Sequence, residues 1–149
     1  MTVIAFDGRR IAVDSRITRA GRIECGRKWK RLADGTLVLW EGDVFHALEL
    51  LRWYEDGADP AQWPERDSPD ARLIVVRDGQ IHEYAGPHPI EHAMQVLAWG
   101  SGADLALGAM EHGAPAYVAV EIASRRNAYC GGSIAVFDVV VADRLLEAA

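Results

Sequence analysis

Residues Thr2–Thr18 read TVIAFDGRRIAVDSRIT, a stretch in which two apolar, β-branched runs lie on either side of a turn. The first run is Thr2–Phe6, the turn signal is Asp7-Gly8, and the second run is Ile11–Val13. Asp-Gly between two such runs is among the strongest short-range signals for a β-hairpin. The chain is therefore predicted to begin with a pair of antiparallel strands.

Beyond this hairpin, the sequence alternates between glycine turns and helical stretches. Further hairpins are predicted around Ala20-Gly21, Ala33-Asp34-Gly35 and Asp78-Gly79. The remaining predicted strands are Met94–Ala98 and Ser133–Val141. Helices are predicted over 43–57, Ala103–Glu111 and Pro115–Arg126, the last with proline at its first position, where helices favour it.

Strands and helices occupy separate blocks of the chain, which we interpret as a single domain over 1–149. The blocks are β-rich 1–42, helix 43–57, a proline-containing loop 58–71, β-rich 72–99, two helices in 100–126, a strand over 133–141 and a tail over 142–149 that could add a short helix. In the first helix, Val44, Leu48, Leu51 and Trp53 or Tyr54 recur at helical spacing and are predicted to face the core. Blocks of this kind predict the α+β class, with helices packed on antiparallel sheets.

Length, charge and residue usage exclude several classes of function. A chain of 149 residues fits one domain, and its net charge of −6 argues against sequence-independent nucleic-acid binding. No apolar run approaches the roughly 20 residues that a transmembrane helix needs, and Asp7 comes too early for a signal peptide. Cys25 and Cys130 form no CxxC pair, which favours a reducing cytoplasm. The histidines show no usable metal-ligand spacing, so neither metal nor cofactor is predicted.

The basic residues are unevenly divided between arginine and lysine. All sixteen are arginine except Lys28 and Lys30. A compact ammonium tolerates burial and a shifted pKa better than a forked guanidinium does. The chain keeps lysine in one short stretch only, residues 28–30.

Several short motifs occur in the order found in proteasome β subunits. They are AVDSRIT at 12–18, KWKRL at 28–32, EGD at 41–43, WGSGA at 99–103 and NAYCGG at 127–132. With these motifs and Thr2, the chain resembles that family from Thr2 to about Val140. The resemblance is strongest to the family's small bacterial and phage-borne homologues. The resemblance implies the four-layer αββα sandwich of the N-terminal-nucleophile hydrolases. Because the loop 58–71 stands where larger members have a second helix, it also implies a thinned first helical layer.

The resemblance assigns the chemistry to three residues near the start of the chain. Thr2 becomes the N-terminal nucleophile once Met1 is removed, and its own α-amine, with an ordinary pKa near ~8, accepts the hydroxyl proton. Lys28 lowers the pKa of that hydroxyl, and Asp14 keeps the buried Lys28 charged. Lys30 has the same strand parity as Lys28, so an error in register would exchange the two.

The resemblance also assigns supporting roles. Gly42 supplies the oxyanion N–H, Ser101 orients the Thr2 amine, and Trp40 lines the substrate pocket. Asn127 and Cys130 stand where the family usually has Asp and Ser, so Asn127 brings no negative charge to the amine.

Structural interpretations of the same residues remain open. Asp14 and Lys28 can form an ion pair that serves the fold alone. Gly42 can be a helix-entry glycine, and Ser101 can cap the following helix. Cys130 fits a small buried residue better than a second nucleophile.

The implied function is a self-compartmentalising threonine peptidase that hydrolyses peptides or unfolded polypeptides. The implied assembly is a homo-oligomeric ring or stacked double ring in the cytoplasm, without bound cofactor, nucleic acid or membrane. The sequence gives no sign of whether an ATPase feeds it. The alternatives are a catalytically silent ring-forming homologue and, with less support, a small-molecule amidase of the N-terminal-nucleophile class.

Overall fold

The structure, a computed structural model, describes residues 1–67, 70–93 and 95–139. These residues divide into two units. The terminal unit is Met1–Lys28 with the described part of Met94–Ala149, and the central unit is the described part of Trp29–Ala93. Each unit has its own antiparallel sheet and its own helical layer.

The secondary structure is α+β, as predicted. The strands are β1 Ile4–Phe6, β2 Arg10–Val13, β3 Arg16–Arg19, β4 Arg22–Cys25, β5 Trp29–Arg31, β6 Leu37–Gly42, β7 Ala71–Arg77, β8 Gln80–Tyr84, β9 Ile90–His92, β10 Leu97–Trp99 and β11 Ala135–Asp138. The α-helices are α1 Val44–Glu55, α2 Ala103–Glu111 and α3 Ala116–Arg126, and Pro60–Gln62 form a 3₁₀ turn.

The terminal unit is built on the hairpin at the start of the chain. Its four-stranded sheet has the order β10-β1-β2-β11, and Val13 on β2 lies opposite both Ile4 and Ala135. The helices α2 and α3 cover one face of this sheet. Small residues such as Ala5, Ala12 and Ala119 are fully buried between them, which lets the helices approach the sheet closely. The β3–β4 ribbon forms a separate two-stranded sheet in the same unit.

The central unit is a five-stranded sheet with the order β5-β6-β7-β8-β9. The helix α1 packs on one face of it, over a buried cluster that includes Val38, Trp40, Leu50 and Leu73. Side chains alternate between the two faces of a strand, so Val38 and Trp40 share the face beneath α1. Asp43 begins the helix as its N-cap, its carboxylate accepting a hydrogen bond from the His46 backbone N–H.

The face of α1 that packs on the sheet differs in part from the predicted one. Leu48, predicted to face the core, is 46% exposed, and Val44 is only half-buried. The buried residues are His46, Ala47, Leu50, Leu51 and Trp53. Leu51 and Trp53 are therefore buried as predicted, and Leu48 is not. Apolar residues occur almost all round this helix, so spacing alone does not fix which side is buried.

Other boundaries differ more modestly. The strand β9 was missed, and the strand predicted over Met94–Ala98 is found at Leu97–Trp99. Pro115 is the N-cap of α3 and not its first helical residue. The described part of the strand predicted over 133–141 is Ala135–Asp138. The predicted tail over 142–149 lies outside the described residues.

We expect Leu50→Ala to destabilise the chain much more than Leu48→Ala does. Leu50 is fully buried on the side of α1 that faces the sheet, so truncation leaves a cavity and costs about 2–5 kcal/mol of unfolding free energy. Leu48 is largely in solvent, and its truncation should cost no more than about 0.5 kcal/mol. Urea unfolding followed by circular dichroism measures both. Equal costs for the two variants would contradict this orientation of α1.

In the part of the chain that the structure describes, none of the helices has the length and apolar character that crossing a bilayer requires.

Candidate active site

The start of the chain is held against the end of β2, where Asp14 lies. The Asp14 backbone N–H donates to the Val3 carbonyl at 3.2 Å, which extends the β1–β2 pairing by one residue. The Val3 N–H donates in turn to Asp14 Oδ1 at 3.1 Å. Thr2 and Asp14 are each 1% exposed, so the pairing buries both next to the N-terminus.

Lys28 completes a buried ion pair at this point. Its Nζ lies 2.8 Å from Asp14 Oδ1 and 2.9 Å from the carbonyl oxygen of Met1. The second oxygen of Asp14 accepts a hydrogen bond from the Gly131 N–H at 3.0 Å. Burial lowers the pKa of the Lys28 ammonium, and the adjacent Asp14 carboxylate opposes that shift. The charge on Lys28 therefore depends on Asp14.

The two lysines of the chain have different surroundings. The Lys28 side chain is 5% exposed, whereas that of Lys30 is 49% exposed. Lys30 Nζ pairs with Glu55 on α1 at 3.0 Å, both residues lying in the central unit. The buried cation beside Asp14 is therefore Lys28.

The Gly100-Ser101-Gly102 turn before α2 surrounds the carbonyl group of Thr2. The Gly102 N–H donates to the Thr2 oxygen at 3.2 Å, and Ser101 Oγ lies 3.4 Å from the same atom. A Cβ on Gly100, whose φ is +94°, would lie 2.1 Å from that oxygen. Gly100 is therefore needed for the turn to approach Thr2, and Gly102 leaves room for Val3, whose Cβ would lie 2.8 Å from an added Cβ. The resemblance implied a contact between Ser101 and the Thr2 amine. With Met1 present, the Thr2 nitrogen is an amide, and Ser101 contacts the Thr2 carbonyl oxygen.

Asn127 connects the end of α3 to this turn. Its Nδ2 donates to the Ser101 carbonyl at 2.8 Å, and its Oδ1 accepts from the Tyr129 N–H at 2.9 Å. An ionised aspartate has no donor and could make only the second of these bonds. The amide therefore holds the backbone of Ser101 in a way that an ionised aspartate at this position could not.

Cys130 is buried against the Ser101 hydroxyl, with 3.6 Å between Sγ and Oγ. Burial raises the pKa of its thiol, so at neutral pH it is protonated. A protonated, inaccessible thiol is a poor nucleophile, which favours a packing role for Cys130.

The predicted site residues fall into two groups. Thr2, Asp14, Lys28, Ser101 and Asn127 lie in the terminal unit, in one hydrogen-bonded network that runs through the backbone of residues 1–3 and Gly131.

The other two predicted residues, Gly42 and Trp40, lie in the central unit. Gly42 ends β6 with a φ of +98°, and Trp40 is 6% exposed in the cluster beneath α1.

His46 is a buried polar residue that the sequence motifs did not indicate. It lies in the first turn of α1, is 1% exposed, and has its Nδ1 2.7 Å from Asp70 Oδ1. The sequence signal near His46 is Asp43, three residues before it, and this spacing predicts that Asp43 caps the helix. It does not predict that the imidazole pairs with a residue 24 positions further along.

Among residues 1–67, 70–93 and 95–139, no group of three or more His, Cys, Asp or Glu side chains is placed to hold a metal ion.

No family model and no curated protein matches this chain. Its structure, however, is similar to solved structures over nearly its whole length. Thiobacillus denitrificans BPH is 20% identical, with 94% of this chain and 99% of that chain covered and a TM-score of 0.70. The complex of the same protein with epoxomicin gives 20% identity, coverage of 95% and 100%, and a TM-score of 0.68. Eukaryotic HslV from Trypanosoma brucei gives 19% identity, coverage of 92% and 97%, and a TM-score of 0.71.

The chain has a proteasome β-subunit-like fold. Identity near 20% establishes the fold alone, and the predicted α+β class agrees with it. Within this proteasome β-subunit-like fold, the contacts around Thr2 and Asp14 come from the motifs quoted from the sequence: AVDSRIT, Lys28 of KWKRL, WGSGA and NAYCGG. The residues that carried the resemblance are therefore those that surround the start of the chain.

Proposed function

We propose that the chain is a proteasome-like threonine peptidase in which Thr2, freed by removal of Met1, is the nucleophile. One observation carries the proposal: the buried Lys28 ammonium connects Asp14 to the carbonyl of the Met1–Thr2 peptide bond. Desolvation makes a buried lysine–carboxylate pair a weak source of stability, and such pairs are frequent at functional sites. Here the charge lies on the bond whose cleavage produces the nucleophile.

Removal of Met1 changes the chemistry at Thr2 in two ways. It converts the Thr2 amide nitrogen into an α-amine with an ordinary pKa near ~8, which can act as a base at neutral pH. It also removes the Met1 carbonyl oxygen, to which Lys28 Nζ donates. One N–H of the Lys28 ammonium, next to Thr2, then loses this acceptor. The hydroxyl and its base then belong to one residue, with a positive charge next to them.

The reaction follows from these groups. The Thr2 amine takes the proton from Oγ, and Oγ attacks the carbonyl carbon of the scissile peptide bond. The C–N bond then breaks, the amine returns the proton to the leaving nitrogen, and an ester to Thr2 remains. Water, activated by the same amine, hydrolyses the ester and regenerates Thr2. The Lys28 charge stabilises the alkoxide character of Oγ, and Asp14 keeps Lys28 protonated.

The remaining roles extend the proposal. Ser101 orients the new amine, and Asn127 holds the backbone of Ser101 through the bond at 2.8 Å. By resemblance, the Gly42 N–H is the oxyanion donor and Trp40 lines the substrate pocket. The likeness to HslV and BPH supports a homo-oligomeric ring or double ring. We further propose that this assembly works in the cytoplasm and admits peptides or unfolded polypeptides.

The test is the mass of the protein after treatment with a peptide epoxyketone, whose two electrophilic carbons require both the hydroxyl and the free amine of an N-terminal threonine. We expect the purified chain to have lost Met1 and to gain one inhibitor mass, localised to Thr2 by peptide mapping. Native mass spectrometry of the same sample reports the number of subunits, and we expect a ring.

Two controls make this test specific. Thr2→Ala lacks the hydroxyl, and protein that retains Met1 lacks the amine, so neither should be labelled. A processed parent that shows no adduct contradicts the peptidase proposal. A ring that retains Met1 when isolated from its native source would instead support the catalytically silent assembly.

A further inference from the structure

Gly42 lies in a tight contact with the backbone of Asp70. Its φ is +98°, and a Cβ added to it would lie 1.9 Å from the Asp70 carbonyl oxygen and 2.8 Å from Ala71 Cα. The Asp43 N–H donates to the same Asp70 oxygen at 2.9 Å. The turn from β6 into α1 is therefore located by the backbone of Asp70.

The Asp70 side chain is held in turn by His46. The Nδ1 of His46 lies 2.7 Å from Asp70 Oδ1. Because an ionised carboxylate only accepts, Nδ1 carries the hydrogen. The His46 backbone N–H also donates to the Asp43 carboxylate at 2.9 Å. Asp43, His46 and Asp70 thus form a closed ring of hydrogen bonds around the Gly42 turn, all inside the central unit.

Packing alone does not account for a histidine at this position. His46 is 1% exposed in a helix face that otherwise buries Ala47, Leu50 and Leu51. Among the residues that the structure describes, none makes a hydrogen bond to its Nε2. A buried polar atom without a partner is unfavourable, so an apolar side chain would pack better here. What the histidine contributes is its bond to Asp70.

We infer that the His46–Asp70 pair is a positioning device that fixes the Gly42 turn. The inference deepens the proposed function, because it rests on Gly42 as the oxyanion donor of that reaction. Oxyanion donors act only when they are held in place before charge develops, and a misplacement of about 1 Å can cost about a hundredfold in rate. Neither His46 nor Asp70 is a catalytic residue in this scheme; each acts through the position of Gly42.

The experiment compares variants of the pair with matched controls. Asp70→Ala removes the acceptor from a side chain that is 49% exposed, with little risk to folding. In His46→Asn, the side-chain amide nitrogen can take the position of Nδ1 and donate to Asp70. In His46→Gln, the amide lies one carbon further from the backbone, so no donor is at the Nδ1 position. Asp67→Ala removes an exposed acid three residues from Asp70 and serves as the control.

The first measurement is hydrogen–deuterium exchange of the peptide covering residues 40–46, which does not depend on activity. We expect Asp70→Ala and His46→Gln to exchange about tenfold faster there, the factor expected for loss of one hydrogen bond to a charged group. His46→Asn and Asp67→Ala should match the parent. Unchanged exchange in Asp70→Ala and His46→Gln would overturn the inference.

The second measurement is kcat per active site, with sites counted by epoxyketone labelling. We expect kcat to fall about tenfold to a hundredfold in Asp70→Ala and His46→Gln, with KM changed by less than about twofold. His46→Asn should recover most of the rate. A kcat within twofold of the parent in an active enzyme would overturn the positioning role. A parent that neither cleaves nor is labelled would overturn the peptidase proposal instead, and the exchange data alone would then decide whether the pair fixes the turn.

Discussion

Lys28→Arg is expected to abolish peptide hydrolysis by the Met1-processed chain, whereas Lys30→Arg leaves it unchanged. Lys28 is enclosed, with its Nζ 2.8 Å from Asp14 and 2.9 Å from the Met1 carbonyl, and only 5% of its side chain is exposed. A guanidinium is planar, larger and spreads its charge over several nitrogens, so it cannot occupy that position. We expect kcat/KM to fall at least about a hundredfold, the scale seen when a preorganised electrostatic group is removed.

Lys30→Arg is a close control because it makes the same chemical change two residues away. The Lys30 side chain is 49% exposed and pairs with Glu55, an interaction type worth at most about 1 kcal/mol, which arginine can also make. Initial rates on a fluorogenic peptide, normalised to folded protein by circular dichroism, compare the two variants. Lys28→Met adds a second test, since it keeps a side chain of similar length and removes the charge. If Lys28→Arg cleaves as fast as the parent, Lys28 has no role in the reaction.

The sequence predicted local structure well where turn chemistry is explicit. The Asp7-Gly8, Ala20-Gly21 and Asp78-Gly79 turns all join the strands expected of them, because glycine at positive φ specifies such turns. The buried face of α1 was predicted only in part, at Leu51 and Trp53, and β9 was missed. Neither an all-round apolar helix nor a three-residue strand has a distinctive pattern.

The candidate site was predictable only in part. The order of motifs named Asp14 and Lys28, and the structure brings them to 2.8 Å, but whether they act in catalysis stays a prediction. The partners of Asn127 and His46 depend on which backbone atoms face them after folding, which no spacing encodes. Asn127 is an example. The sequence indicated only the loss of a negative charge at this position, whereas the structure shows that the Asn127 amide donates a hydrogen bond to the Ser101 carbonyl.

Asp14→Asn is expected to destabilise the chain and to inactivate it through Lys28. The Asp14 carboxylate accepts hydrogen bonds from Val3 N–H, Gly131 N–H and Lys28 Nζ, and none of its side chain is exposed. Removing one partner of a buried ion pair leaves an uncompensated charge and typically costs about 3–5 kcal/mol. The buried ammonium then has no counter-charge, so the variant should unfold at lower urea and show no cleavage.

The pH dependence of stability identifies the cause of this loss. Burial already lowers the pKa of Lys28 below its usual 10.5, and Asp14 opposes that shift; without Asp14 the folded-state pKa falls further. Between the folded-state pKa and 10.5, the unfolded chain binds more protons than the native one, so stability rises with pH across that window. We therefore expect Asp14→Asn to regain stability as the pH is raised from 7 towards 10, over a wider range than the parent.

Removing both charges separates the cost of the unpaired ammonium from the loss of the carboxylate. In Asp14→Asn/Lys28→Met, neither member of this ion pair is charged, so we expect most of the lost unfolding free energy to return at pH 7. The pH dependence seen in the single variant should disappear, and cleavage should stay absent because the cation beside Thr2 is gone. Urea unfolding at pH 7, 8.5 and 10 measures each term. If the double variant is as unstable as Asp14→Asn, the lost stability comes from the hydrogen bonds of Asp14 to Val3 and Gly131. The main role of the carboxylate would then not be to hold the Lys28 charge.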